Sequence, residues 1–148
     1  RRIRENEKIM NSDFCVGVHA LVYLDHKKCM LSSEELADNI CTNRVRIRRV
    51  MGKLAKAGLV ETRSGHDGGY SLNEAAGDIS LENIADALDT HFVSASWQSG
   101  DVEKECLVSS GMGAIMDDIL DDLDETCRKK LKDKTIADIG RQIFGNDS

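Results

Sequence analysis

At Gly58 the hydrophobic period of this 148-residue chain changes, and no other feature narrows the possible folds as much. Before it, Ile47, Val50, Met51 and Leu54 recur at separations of three and four, which places them on one face of a helix. After it, Leu59-Val60-Glu61-Thr62-Arg63 and Tyr70-Ser71-Leu72 read as extended segments joined by a glycine-rich tip, Ser64-Gly65-His66-Asp67-Gly68-Gly69. A helix leading directly into a tight hairpin excludes a parallel sheet at this point, because parallel strands need a long crossover between them.

The flanking segments are helical. Ser12 is read as the N-cap of a first helix to about Asp25, with Phe14, Val18, Leu21 and Val22 on its apolar face. Ser32-Ser33-Glu34-Glu35 matches the capping box, in which a hydroxyl and a carboxylate satisfy the orphan N–H groups of a helix start. A second helix continues through Leu36, Ala37 and Ile40, and Cys41-Thr42-Asn43 breaks it, with Asn43 as the cap of the third. Beyond the hairpin, Ser80 caps a fourth helix through Ile84, Ala85 and Leu88, and His91 to Gly100 has no period and reads as a loop. A long fifth helix follows. On it Met112, Met116, Ile119, Leu120, Leu123 and Cys127 form a stripe opposite Asp117, Asp118, Asp121 and Asp122. The lack of proline and the 4% aromatic content also favour helices over a many-stranded sheet.

The expected class is therefore mainly α with a small β-hairpin wing: a winged helix-turn-helix over residues 10–73 and a dimerisation and sensor region over 74–144. That second region contains a long C-terminal dimerisation helix, and residues 1–9 form an N-terminal extension. No apolar run approaches the ~18 residues that span a membrane, so no membrane partner is expected. Five cysteines without a CxxC pair, and no secretory segment ahead of them, suggest a reducing cytoplasm.

Charge divides the chain. Residues 1–70 carry 13 Lys/Arg against 9 Asp/Glu, and residues 71–148 carry 7 against 17. Between Arg44 and Arg63, seven basic residues (Arg44, Arg46, Arg48, Arg49, Lys53, Lys56 and Arg63) stand against one acid, Glu61. A solvated basic helix face is the ordinary use of such a run. On the third helix of this pattern it instead points to double-stranded DNA, because neutralised phosphates release counterions and a third helix of this kind enters the major groove. Candidate contacts are Thr42, Asn43, Arg44, Arg46, Arg48, Arg49 and Lys53 from turn and helix, with Arg63, Ser64 and His66 from the wing. The tip lacks the G-K-[ST] ending of a phosphate loop, which argues against nucleotide binding.

Ala55-Lys56-Ala57-Gly58-Leu59-Val60, followed by Arg63, Gly65 and Gly68-Gly69-Tyr70-Ser71-Leu72, resembles the wing motif of the Rrf2 family of bacterial transcription regulators. Ile79-Ser80-Leu81-Glu82-Asn83-Ile84-Ala85-Asp86-Ala87 is similar to a second family element, and the resemblance runs from about Met10 to Phe144. It implies a homodimer in which the long helices cross, a roughly palindromic operator, and no enzymatic activity; the expected role is a repressor. Ser64 stands where relatives place a wing arginine, so Arg63 or His66 takes over any minor-groove contact.

The family's cluster-bearing members carry three closely spaced cysteines before the long helix, since thiolates hold the irons. Here only Cys106 is present, so the chain resembles the cluster-free branch and no cofactor is expected. Cys15 and His19 share a face of the first helix and, with Cys106 or His91, form a candidate metal or redox sensor; packing is the alternative use of such a pair. The signal otherwise expected is a small-molecule or redox effector near Trp97, or Trp97 simply seals the hinge before the long helix. Two rival functions remain: a winged domain that binds a protein partner, and a thiol enzyme using Cys15 with His19 as base.

Overall fold

The computed structural model describes residues 5–145, with side chains from Asn11 onward. In chain order the elements are α1 (Glu5–Lys27), α2 (Ser33–Ile40), α3 (Arg44–Lys56), β1 (Val60–Arg63), β2 (Gly69–Leu72), α4 (Leu81–Ala87), α5 (Leu107–Lys130) and α6 (Ile136–Phe144). Short 3-10 turns occupy Ala76–Asp78 and Leu131–Asp133. The class is the expected one, mostly helical with one antiparallel hairpin and a long helix near the C-terminus.

One core holds these elements together. From α1 come Val16, Ala20, Leu21 and Leu24, from α2 Leu36, from α3 Ile47, Val50, Met51 and Leu54, and from α4 Ile84. Each large apolar side chain taken fully from water contributes about 1.5–3 kcal/mol, so the i, i+3, i+4 pattern on α3 fixes which of its faces points inward. The predicted capping box at Ser32 forms, and Ser80, expected only as an N-cap, forms a second one. The Glu35 amide donates to Ser32 Oγ (3.1 Å) and the Ser32 amide to Glu35 Oε1 (3.2 Å), and Ser80 and Asn83 repeat the exchange before α4. Asn43 caps α3 as expected, accepting from the Arg46 amide at 2.8 Å.

Three expectations are corrected. Ser12 does not cap α1, which already includes Glu5; the charged stretch from Glu5 to Lys8 is made mostly of good helix formers, and nothing there stops the helix. Residues 1–4 of the expected extension lie outside the described residues, and the remainder is helical backbone. A sixth helix, α6, also closes the fold. Thr135 caps it in a reciprocal exchange with Asp138, and Ile136 is fully buried, its amide donating to the Ile79 carbonyl at 3.0 Å. Finally, Trp97 seals nothing within the chain, being 75% exposed; the loop is tied to α5 instead by Gln98, whose Nε2 donates to Asp117 Oδ2 (2.8 Å).

The stripe on α5 is largely uncovered. Met116, Ile119 and Leu123 are exposed, Met112, Leu120 and Cys127 are half-buried, and Leu107, Val108 and Ile115 extend the exposed apolar surface toward the helix N-terminus. No described helix is long and apolar enough to cross a membrane.

Candidate nucleic-acid interface

The turn between α2 and α3 is tight because Cys41 takes the left-handed conformation (φ 64°), and the Thr42 amide donates to the Ala37 carbonyl at 3.0 Å. This sets α3 across α2 with its apolar face inward. The opposite face carries Arg44, Val45, Arg48, Gly52 and Lys53, all exposed, and Val45 is 69% exposed although apolar. Among the described residues, neither Arg44 nor Arg48 has an ion-pair or hydrogen-bond partner for its guanidinium.

Arg46 and Arg49 are placed differently. Arg46 Nε donates to Asp13 Oδ1 on α1 (3.0 Å) and its Nη2 donates to Ser12 Oγ. Arg49 Nη2 donates to both Asp13 oxygens, at 2.9 and 3.1 Å. Burial opposes the Asp13 charge, but the bonds from Arg49 and Arg46 outweigh it and hold the carboxyl below its ordinary range. Sequence spacing gives no sign of this arrangement, since Asp13 lies more than thirty positions before its partners.

The wing stands beside α3. Its strands pair antiparallel from Val60 with Leu72 to Arg63 with Gly69, and Arg63, Ser64 and His66 are exposed at the tip. Tyr70 exchanges backbone bonds with Leu31 (2.9 and 2.8 Å), which anchors the hairpin to the loop before α2, and its ring packs against the core. Gly69 must be glycine here, with φ at 151° and a would-be Cβ 2.2 Å from the Leu31 carbonyl oxygen.

A second cluster joins this domain to α5. Asp124, nearly buried, accepts from the Phe92 and Val93 amides (2.6 and 3.0 Å) and bonds the His91 ring through Nδ1 (3.1 Å). Burial disfavours its charge, yet the Val93 amide, the His91 ring and the Phe92 amide together hold the carboxyl below its usual range. One turn on, Arg128 Nε donates to the Thr90 carbonyl (3.1 Å) and its guanidinium faces Asp86 and Asp89 at 3.6 Å.

The sensor candidates are not assembled within the chain. Cys15 and His19 line a groove of about 740 Å³ between α1 and α6, where His19 Nε2 donates to Asn39 Oδ1 (2.8 Å) and Phe144 stacks on His26. Cys106 is elsewhere, at the start of α5, where the Ser109 and Val108 amides hold its thiol below the ordinary range. His91 is engaged with Asp124.

The family model described as Rrf2, iron-dependent transcriptional regulator, matches residues 10–142. YwnA of Bacillus subtilis (strain 168), whose name places it among HTH-type transcriptional regulators, is 28% identical over 138 residues, covering 92% of this chain and all of that protein. A crystal structure of a transcriptional regulator from Lactobacillus plantarum superposes with a TM-score of 0.76 at 26% identity, covering 90% of this chain and 91% of the other. The T. potens IscR structure gives 0.63 at 18% identity, covering 97% and 88%. That of Staphylococcus aureus CymR gives 0.61 at 19%, covering 87% and 95%; these last two bear on fold alone. For the iron in the family description, a cluster takes about four thiolate or imidazole ligands, and among the described residues no three His, Cys, Asp or Glu side chains gather.

Proposed function

The chain belongs to the Rrf2 family of transcriptional regulators, and we propose that this DNA-binding regulator works as a cytoplasmic homodimeric repressor of a roughly palindromic operator. The observation that carries the reading is the outer face of α3, where Arg44 and Arg48 stand exposed beside Val45, with no partner among the described residues. In the major groove, an arginine can donate two hydrogen bonds to guanine and an apolar side chain can meet a thymine methyl, whereas Lys53, Arg63 and His66 are suited to phosphate or minor-groove contact. Thr42 and Asn43, at the α3 N-terminus, present a hydroxyl and the first turn's amides to a phosphate.

Two unpartnered surfaces support the dimer. The exposed α5 row of Met116, Ile119 and Leu123 is flanked by Asp117, Asp118, Asp121 and Asp122, and the apolar α1–α6 groove is edged by His19, His26 and Lys27, with no carboxylate lining it among the described residues. Their chemistry is complementary in both polarity and charge. A pair of chains joined in this way sets two α3 helices on one duplex, at the one-turn spacing of ~34–36 Å that two half-sites require. A small-molecule or redox effector acting at the Asp124 junction would alter that spacing, and geometry would convert the change into affinity. The donor set favours a cofactor-free regulator.

The test is Arg44→Glu with Arg48→Glu, measured by fluorescence anisotropy on a random-sequence 30-base-pair duplex pool in a salt titration. Wild type is expected to bind with a steep negative slope of log K against log salt, and the double variant to lose at least about two units of that slope. Binding by wild type that ignores salt would favour the protein-partner reading.

A further inference from the structure

Four arginines crowd the first turns of α3, and one carboxylate from another helix divides them into two classes. Arg44 and Arg48 have no partner among the described residues, whereas Arg46 and Arg49 converge on Asp13. Arg46 is the more fully engaged, with Nε on Asp13, Nη2 on Ser12 and a side chain only 26% exposed. Arg49 is half-exposed, with Nη2 held by both oxygens of Asp13 and no partner for Nε or Nη1 among the described residues. The carboxylate itself is 19% exposed, less than either arginine it holds.

We propose that Asp13 is a positioning residue for DNA discrimination: it withholds Arg46 from phosphate contact and holds Arg49 in one orientation, so that α3 offers one fixed arginine beside the mobile Arg44 and Arg48, and not four mobile ones. The inference rests on the reading that α3 meets DNA. Unpaired arginines on flexible stems bind any sequence, because phosphate neutralisation supplies the sequence-independent term. An arginine whose guanidinium plane is fixed by a carboxylate loses that freedom and can satisfy only the base edge that matches it. Specificity is the difference between two affinities, so lowering the random-sequence term raises it as surely as adding a base contact.

The proposal is tested with Asp13→Asn, Asp13→Glu, Arg46→Met and Arg48→Met in the full chain. Each is titrated with salt against the random-sequence duplex pool and used to select tight binders from the same pool. Asp13→Asn is expected to bind the unselected pool several-fold more tightly, with a salt slope steeper by about 1–2, one for each arginine released. The sequences it selects should be less sharply defined than those of wild type, and Asp13→Glu should restore both measures. Arg46→Met, whose charge is already withheld, should leave the wild-type slope unchanged, while Arg48→Met lowers it by about one. A contact that only held α1 to α3 would move the unfolding midpoint and not the slope. Equal slopes for wild type and Asp13→Asn, or a slope lowered by Arg46→Met, overturn the proposal. A wild type without salt-dependent binding overturns instead the reading on which it rests.

Discussion

Asp124 shows how much one side chain can settle. It is the nearly buried acceptor for two successive amides and a histidine ring, and it fixes where α5 leaves the domain. Replacing it with alanine leaves the Phe92 and Val93 amides without their acceptor, and the expected cost is about 2–3 kcal/mol by urea unfolding. The pH dependence has a definite sign. Since its folded pKa is depressed, Asp124 stabilises the fold fully above the ordinary carboxyl value of 3.8, and that contribution is lost as pH falls through the lower folded value. The alanine variant should therefore lose less stability than wild type between neutral pH and pH 3; an identical fall in both would assign acid sensitivity to other carboxylates. Cys41 presents the opposite situation, a side chain where none is wanted. It holds the left-handed position that ends α2, at φ 64°, where glycine carries no Cβ penalty. Cys41→Gly is expected to stabilise the turn by about 0.5–1 kcal/mol, seen as a rise in thermal midpoint with the salt slope on DNA unchanged.

At the scale of elements, the wing is held at one end by the Tyr70–Leu31 backbone exchange, which tolerates only glycine at position 69. Gly69→Ala should push the hairpin off that anchor, costing about 1–3 kcal/mol and weakening binding to the duplex pool while α3 keeps its helix. Unchanged affinity in that variant would remove the wing from the interface. Elements with local signals were legible from the sequence: the capping box at Ser32, the caps at Asn43 and Ser80, the inward row from Ile47 to Leu54, and the change of period at Gly58. The α6 helix carries an equally local signal, Thr135 capping toward Asp138, but the charged run from Lys129 to Lys134 obscured it. What could not be read was pairing at a distance. Whether a basic residue faces solvent or a carboxylate depends on how α1 crosses α3, and the sequences of the two helices do not encode that separately. So the arginine run was legible as a cationic face, but its division by Asp13 was not.

For the whole molecule, the uneven charge along the chain acquires a spatial meaning. The basic half forms the α3–wing surface, while the acidic half places aspartates along both flanks of the exposed α5 row. An isolated chain would leave Met116, Ile119 and Leu123 in water together with the groove between α1 and α6, and exposed apolar surfaces rimmed by polar residues mark interaction sites. In the proposed dimer both surfaces would be covered, and the acidic flanks would be turned toward the partner and not toward DNA, where they would repel phosphate. Ile119→Glu isolates this term, because Ile119 is 46% exposed and contributes little to the core of its own chain. Sedimentation equilibrium should find the variant near the 16.3 kDa of one chain, with wild type at twice that. Its circular dichroism should be unchanged. Each of its reading heads would then bind alone, without the effective concentration that tethering provides, so affinity for a duplex carrying two selected half-sites should fall by about 10²-fold or more. Affinity for a single half-site should stay within a few-fold of wild type. If Ile119→Glu still sediments at twice the chain mass, the seam lies elsewhere and the α5 row needs another occupant.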